Sequence, residues 1–582
     1  MWPHALHHCF SRTREAIEKT TPPATENTSD DEGVYHVGWW RLVLVTVALS
    51  LSVFCVSLDN TIVATAIPRI TDEFNSINDI GWYGSVYLFG ITTFQLMYGK
   101  WYSFYPAKWV FLSALFLFEA GSLVCALANG SALLIIGRAI SSVGAAGVFT
   151  GALLIVSTMV SLRTRSAYTS ILIAMYGIAS VAGPLLGGAF TDRISWRWCW
   201  FPNQEILSFI EADVFNLSRS SFYINLPFGG ATAIALLFFF KSPPPPSTTN
   251  EDGFRIGWRE RLNEFDISGT TALVPSIVCL LLALQWGGSE YSWANWRIIL
   301  AFVLFGVLFT VFIAIQILKG ERATVVPRVM KKRGVWSSAI FGVGLNAAFY
   351  VLVYFIPIWF QAIKGVSAAK SGIMNIPMIL SFAILALVTG VAITLTGYYA
   401  PFMILSSVFL ALGAGFITTF EPVTGHPSWI GYQVLFAAGA GFGFMQPMLA
   451  VQAVLDPPDI PVGTAIILFG NTLSGAVAIS AAESVFLNRF IDGVAAQLPA
   501  ELTAGQDLKE LVLEIGATEL QDFLTVYVPQ YRDQVVLAYN NALADTWYIA
   551  VAMAALSILG SACADWVSVK RKKKIYVAGA AI

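Results

Sequence analysis

Four ionisable side chains stand inside apolar stretches that leave a charge little water: Asp59 in SVFCVSLDNTIV, Glu119 in SALFLFEAGSLVC, Arg138 in LLIIGRAISS and Glu483 in SGAVAISAAESVF. A charged group in hydrocarbon costs at least about 2.5 kcal/mol, so such positions mark proton, ion or substrate paths by default. Asp59 falls in the far half of the first apolar span. Arg138 falls about six residues into the fourth, which runs the opposite way; at a rise of ~1.5 Å per residue the two share a depth and can pair. The pair reads either as a static tie between helices or as a switch that exchanges partners as protons bind and leave, because desolvation and a neighbouring charge act on a carboxyl in opposite senses. Glu119 and Glu483 have no charged neighbour in sequence, and each is a proton site or a hydrogen-bonded neutral acid. Gln95, Gln361, Gln446, Gln452 and Asn471 are uncharged polar groups in or near spans. They serve as interhelical hydrogen bonds or line a substrate path.

The stretch YGIASVAGPLLGGAF (176–190) adds a different signal. Gly177, Gly183, Pro184, Gly187 and Gly188 would weaken a soluble helix, by about 3 kcal/mol for the proline and about 1 for each glycine. A membrane helix tolerates them where neighbours satisfy the freed backbone groups. Ala179, Gly183 and Gly187 recur every fourth residue and give one smooth face for a second backbone.

Enzyme chemistry has no support in the sequence. His4, His7 and His8 lie in a polar tail and build no metal spacing. No GxxxxGK[ST] phosphate loop is present, so energy for any transport has to come from an ion gradient, without a bound cofactor.

These residues are positioned by a chain that is 56% hydrophobic and 12% charged, with mean hydropathy +0.67. A soluble protein carries about twice that share of charge. The apolar runs are about 20 residues long, enough to cross a bilayer core. Hydropathy predicts an all-α polytopic membrane protein of about 14 spans arranged six, two and six. The predicted units are a disordered tail (1–38), a first six-helix half (39–241), a Pro-rich linker with two extra helices (242–334), a second six-helix half (335–568) and a basic tail (569–582). Residues 490–545 are predicted to form an amphipathic cap outside. Lys and Arg gather on one side, at Arg41, Lys100, Lys108, Arg163, Arg165, the Lys319 to Arg333 cluster and Lys570 to Lys574. That side is predicted to be cytoplasmic, with both termini inside. Asn216 and Asn129 open glycosylation patterns on the predicted outer side. Net charge of −2 predicts no nucleic-acid partner. Cys55, Cys125, Cys279 and Cys563 fall in apolar runs, where a cysteine acts as a small hydrophobe rather than a disulfide partner.

Several stretches together resemble the fourteen-span drug:proton antiporter branch of the major facilitator superfamily, in its fungal form. LDNTIVATAIP (58–68) is similar to that branch's first-span signature, GRAISSVGAAG (137–147) to its fourth-span arginine motif, and residues 176–190 to the antiporter motif. GKWYSFYPAKWVFL (99–112), WRWC with FYINLPFGG, and IPIWFQAIKGVSAAKSGI (356–373) extend the likeness over most of the chain. The resemblance implies a major facilitator fold and makes Gly99, Lys100 and Lys108 part of a cytoplasmic gate loop. It also implies a monomeric, proton-coupled exporter of small, mostly apolar compounds such as toxins or secondary metabolites, in the plasma membrane. Uptake, for example of an iron chelate, and a non-transporting sensor are the alternatives. The chain departs from the pattern at Ser103, where the gate loop usually carries an aspartate. It departs again at Ser141 and Ser142, which replace Gln and Gly, and at Leu395, which replaces an arginine.

Residues 200–221 interrupt the otherwise continuous run from WRWC to FYINLP. They read as a retained intron whose length is a multiple of three bases. Sequencing the transcript across Cys199 and Phe222 should recover a message that lacks the segment; a message that keeps it refutes this reading.

Overall fold

The computed structural model describes residues 38–74, 80–193, 225–242, 265–287, 291–497 and 531–570. Its helices follow the apolar runs. The first six are α1 (Trp39–Phe74), α2 (Ile80–Phe104), α3 (Ala107–Ala126), α4 (Ser131–Met159), α5 (Leu162–Arg193) and α6 (Asn225–Phe239). Two more, α7 (Ile267–Trp286) and α8 (Trp296–Lys319), lead through the short α9 (Pro327–Met330) to the second set. That set comprises α10 (Arg333–Lys364), α11 (Ala368–Met374), α12 (Ile376–Thr396), α13 (Ala400–Ile417), α14 (His426–Gly443), α15 (Gln446–Val454), α16 (Ile460–Gln497) and α17 (Arg532–Ala562). Among the described residues, eleven helices are long and apolar enough to cross a membrane by length and composition.

The packing repeats itself. In the first set α1 lies on α5 and α6, α4 on α2 and α3; in the second α10 lies on α16 and α17, α14 on α12 and α13. Glycine closes the same seam in both. A Cβ on Gly144 of α4 would stand 2.3 Å from Phe118 N of α3, and one on Gly439 of α14 would stand 2.3 Å from Leu410 N of α13. Only a residue without a side chain lets the backbones approach so closely, which is the dominant packing device where no hydrophobic effect separates helix from lipid. The halves then meet through α2 with α16 and α5 with α12. The second long helix of one half thus faces the fifth of the other, as a two-fold relation requires.

At the end of the bundle where Lys and Arg gather, the halves touch closely. A Cβ on Gly99 would stand 2.5 Å from that of Ala465, and one on Gly390 would stand 2.4 Å from Ser170 Oγ. Arg165, buried at the start of α5, donates to Gln452 Oε1 on α15 at 3.2 Å and to Ser157 O on α4 at 2.6 Å. Ser103 instead turns back onto its own helix, donating to Gly99 O at 2.9 Å.

The extra pair is anchored by Asp266. This buried carboxylate caps α7 through Gly269 N at 2.7 Å and also accepts from Gln316 Nε2 at 2.5 Å and from Thr324 N at 3.2 Å. Lys319 Nζ lies 3.0 Å from Oδ1, the oxygen that also accepts from Gly269 N. Farther along, Arg328 bridges Glu321 at 3.0 Å and Asp459 at 2.9 Å, which ties the segment after α8 to the loop before α16.

Several expected boundaries move. The thirteenth span does not stop near residue 489, because α16 continues to Gln497, and α17 begins at Arg532 rather than at Thr546. Arg489 and Asp545 form a 3.1 Å ion pair between these two helices, so the polar ends of the expected outer cap are helical extensions. The cap's middle, the insertion with Asn216, the linker from 243 to 264 and the tails before 38 and after 570 lie outside the described residues. The twelfth span is broken at Phe444–Met445, ahead of Pro447 at the start of α15, since proline removes a helix donor there.

Burial raises the Asp266 carboxyl, but hydrogen bonds from Gln316, Lys319, Gly269 and Thr324 outweigh it and hold it below the ordinary aspartate value. The stability this linkage contributes is present above the unfolded value of about 4 and lost as pH falls through the lower folded value. Asp266→Asn is therefore expected to lower the unfolding midpoint in detergent at pH 7, by the equivalent of about 3 kcal/mol. The gap should close in acid. Equal midpoints at pH 7 would remove Asp266 from this role.

Candidate functional site

Asp59 and Arg138 meet inside the first half, both buried. Arg138 Nη1 donates to Asp59 Oδ2 at 2.9 Å and to Asp59 O at 3.0 Å; Nε donates to Tyr83 O at 3.1 Å. The guanidinium also lies over the Tyr87 ring, 4.4 Å from its centroid, and Tyr87 Oη in turn donates to Val56 O at 3.0 Å. One residue of α4 thus grips α1 through a carboxylate and a carbonyl, and α2 through a carbonyl and an aromatic face. Only a planar fork with five donors can do this; an ammonium cannot.

Asn225, at the first turn of α6, completes the site. Its Nδ2 donates to Ser122 Oγ of α3 at 3.1 Å and reaches Asp59 Oδ1 at 3.5 Å. One turn nearer the basic end on the same seam, Glu119 presses against Gly229: a Cβ there would stand 2.0 Å from Glu119 Oε1. Neither Glu119 oxygen has a protein partner, although both are buried. Glu119 therefore joins the neighbourhood of the pair.

Glu483 does not. It lies on α16 of the second half with an exposed side chain and takes no part in that pocket. Among the polar candidates, Gln95 donates to Thr150, and Gln361 to Pro357 O at 3.2 Å and Ser371 Oγ at 3.1 Å. Gln446 Oε1 and Asn471 Oδ1 are buried without a protein partner, and Asn471 Oδ1 lies 2.4 Å from where a Gly342 Cβ would stand.

The glycine-rich stretch 176–190 begins directly behind Asp59. Ser57 Oγ donates to Tyr176 O at 3.0 Å, Thr61 Oγ1 to Ala179 O at 3.3 Å, and a Cβ on Gly183 would come within 2.1 Å of Thr61 Oγ1. The small face therefore seats α5 against the turn of α1 that carries the carboxylate. Gly177 faces Phe382 of α12 instead. The helix continues through Pro184, Gly187 and Gly188. Of the residues expected in a gate loop, Gly99 and Lys100 lie in α2 and Lys108 in α3: Lys108 Nζ donates to Leu237 O at 2.7 Å and Phe240 O at 3.1 Å at the end of α6, Lys100 is buried, and Gly99 meets Ala465. Asn129 is exposed in the turn between α3 and α4.

Sequence reasoning missed Tyr83, Tyr87, Ser122 and Asn225. Asn225 left a signal, an amide inside the apolar run FYINLPF; the serine and tyrosines look like many others in the chain. Arg138→Lys is expected to abolish transport while the protein still reaches the membrane, because lysine cannot hold Asp59, Tyr83 and Tyr87 together. Wild-type transport by that variant would show that charge alone suffices.

Residues 49–202 match the family model described as Major Facilitator Superfamily. The chain is 48% identical over 546 residues to "MFS-type efflux pump MFS1" of Trichophyton rubrum, covering 94% of this chain and 95% of that protein. It is 47% identical over 534 residues to "Efflux pump roqT" of Penicillium rubens, covering 92% of each. To "Efflux pump aflT" of Aspergillus parasiticus it is 45% identical over 543 residues, covering 93% and 99%. In fold it is similar to an inward-facing bacterial homologue of the human lysosomal transporter Spinster, with a TM-score of 0.51 at 14% identity, covering 90% of this chain and 98% of that one. Relatives of this identity and coverage settle the family: the chain belongs to the major facilitator superfamily, as a multi-pass membrane transporter and not an enzyme.

Proposed function

We propose that this protein exports small, mostly apolar organic compounds, such as secondary metabolites or toxins, in exchange for protons. The observation that carries the coupling is the buried Asp59–Arg138 pair. Breaking such a pair without neutralising a partner leaves an uncompensated buried charge, at about 3 to 5 kcal/mol. A proton on Asp59 supplies that neutralisation, so loosening of α1 from α4 is linked to proton uptake. The printed names of the curated fungal relatives support the direction of transport. The basic end faces the cytoplasm in this reading, with both termini inside and the plasma membrane as host.

The substrate path lies where the halves meet. Tyr176 and Tyr350 join their hydroxyls at 3.1 Å across that interface. Phe149, Phe349, Phe382 and Phe444 surround them in edge and tilted contacts. Aromatic walls with few polar groups bind apolar ligands with loose specificity. The unpartnered oxygens of Gln446 and Asn471 are the polar groups available on the second half. Rocking of the halves about the α2–α16 and α5–α12 contacts would expose this region to each side in turn.

The test is accumulation of fluorescent and natural-product compounds in cells with and without the protein, at two external pH values. Cells with the protein should accumulate less, most clearly at acidic external pH, and Asp59→Asn should erase the pH dependence while remaining in the membrane. Unchanged accumulation across the panel overturns export; full pH-dependent activity of Asp59→Asn overturns the proton role.

A further inference from the structure

A second carboxyl shares the buried seam with the ion pair. Asp59, Glu119 and Arg138 supply two acids and one base to one pocket of the first half, bounded by α1, α2, α3, α4 and α6. The other titratable groups facing it are Cys55 of α1, Tyr83 and Tyr87 of α2 and Cys125 of α3, with Tyr176 of α5 behind α1. Among the described residues α6 adds only the amide of Asn225, and Arg138 is the one cation. If both acids were ionised, the pocket would hold an uncompensated negative charge.

The hydrogen bonds show which acid is provided for. Asp59 Oδ2 takes Arg138 Nη1 and its Oδ1 faces Asn225 Nδ2. Glu119 receives no donor on either oxygen. Arg138 Nη2 and Asn225 Oδ1 are likewise buried and unpartnered. Buried polar atoms are almost always hydrogen-bonded, to protein or to water. Four such atoms on residues of this network are suited to a bridging water, which needs two to four polar partners. Ser122 links the acids: one turn from Glu119 on α3, it accepts from Asn225, so its own hydroxyl hydrogen is available to such a water or to Glu119.

We infer that Glu119 holds the exchangeable proton while Asp59 is paired with Arg138, and that Ser122, Asn225 and a bridging water hand it between the two carboxyls. In the transfer an O–H bond of Glu119 breaks and one forms on Asp59 Oδ1. Glu119 becomes the carboxylate, Asp59 the neutral acid, and the charge of the pocket is unchanged. Arg138 keeps Asp59 O and Tyr83 O and loses only its carboxylate. The proton thus waits one helical turn nearer the basic end than the ion pair and never enters the aromatic region between the halves. Asn225 is a positioning residue in this scheme, and Gly229 is glycine because any Cβ there would displace Glu119.

The inference rests on the proton-coupled reading, and the experiment separates the two. The full-length protein is reconstituted in liposomes with Nile red as probe, comparing accumulation driven by a pH gradient with exchange at equal pH; a parallel infrared spectrum follows the carboxylic-acid C=O band at neutral pH. Glu119→Gln and Gly229→Ala should lose driven accumulation by about a hundredfold more than exchange, the low end of the range for a lost acid–base group. Asn225→Ala should do the same, with partial rescue by Asn225→Gln. The C=O band should be lower in Glu119→Gln and intact in Asp59→Asn. Driven accumulation by Glu119→Gln equal to wild type, equal losses of both modes, or an unchanged band would overturn the hand-off. If Asp59→Asn retains driven accumulation, the proton-coupled reading itself falls.

Discussion

A guanidinium enclosed within the protein holds the first half together. Arg138 is fully enclosed, and an ion of its size taken out of water without partners is unaffordable at several kcal/mol. The surrounding helices answer that cost with a carboxylate, two carbonyls and an aromatic face drawn from α1 and α2. Because the partners come from different helices, the charge fixes their depth and rotation as well as their contact. Asp59 is in turn steadied by Asn225, which brings α6 and α3 into the same network. Five helices are thus referenced to one side chain, and a change in its charge balance is felt by all of them.

Close backbone approach is the second constraint. With lipid as apolar as leucine, helices gain little by hiding side chains and more by fitting backbones. The glycine seams of α3–α4 and α13–α14 make rigid pairs in both halves. The contacts between halves are of another kind: Gly99 on Ala465, Gly390 on Ser170, and one arginine to one glutamine. Such joints hold by shape and a few hydrogen bonds, one of them donated by the buried Arg165, rather than by a buried ion pair.

Much of this was legible in the chain. Hydropathy gave the long helices, because a span must be apolar over its whole length. The intramembrane charge rule singled out Asp59, Arg138 and Glu119, since nothing but function or pairing keeps such groups there. It also singled out Glu483, which lies on α16 of the second half, apart from the other three, because sequence spacing cannot say which charges share a pocket. Asn225 was hidden by its neutrality, and Ser122 by the number of similar serines. The polar extensions of α16 and α17 were missed because two helices that support each other, here through Arg489 and Asp545, can run past the point where hydropathy ends.

The inserted pair has a geometric consequence for the symmetry of the bundle. α7 lies against both α2 and α16, and Trp82 meets Trp286 at one end while Phe104 and Tyr105 meet Phe265 at the other. It therefore runs along the outside of one of the two seams where the halves join, and α8 beyond it presents almost nothing but aliphatic surface, with Ile298, Phe312 and Gln316 its only buried residues. The opposite seam, α5 with α12, has no such covering helix among the described residues. Among the described residues one seam is thus walled by a hairpin and the other is not, so the inserted pair gives an otherwise two-fold arrangement a sidedness within the plane of the membrane.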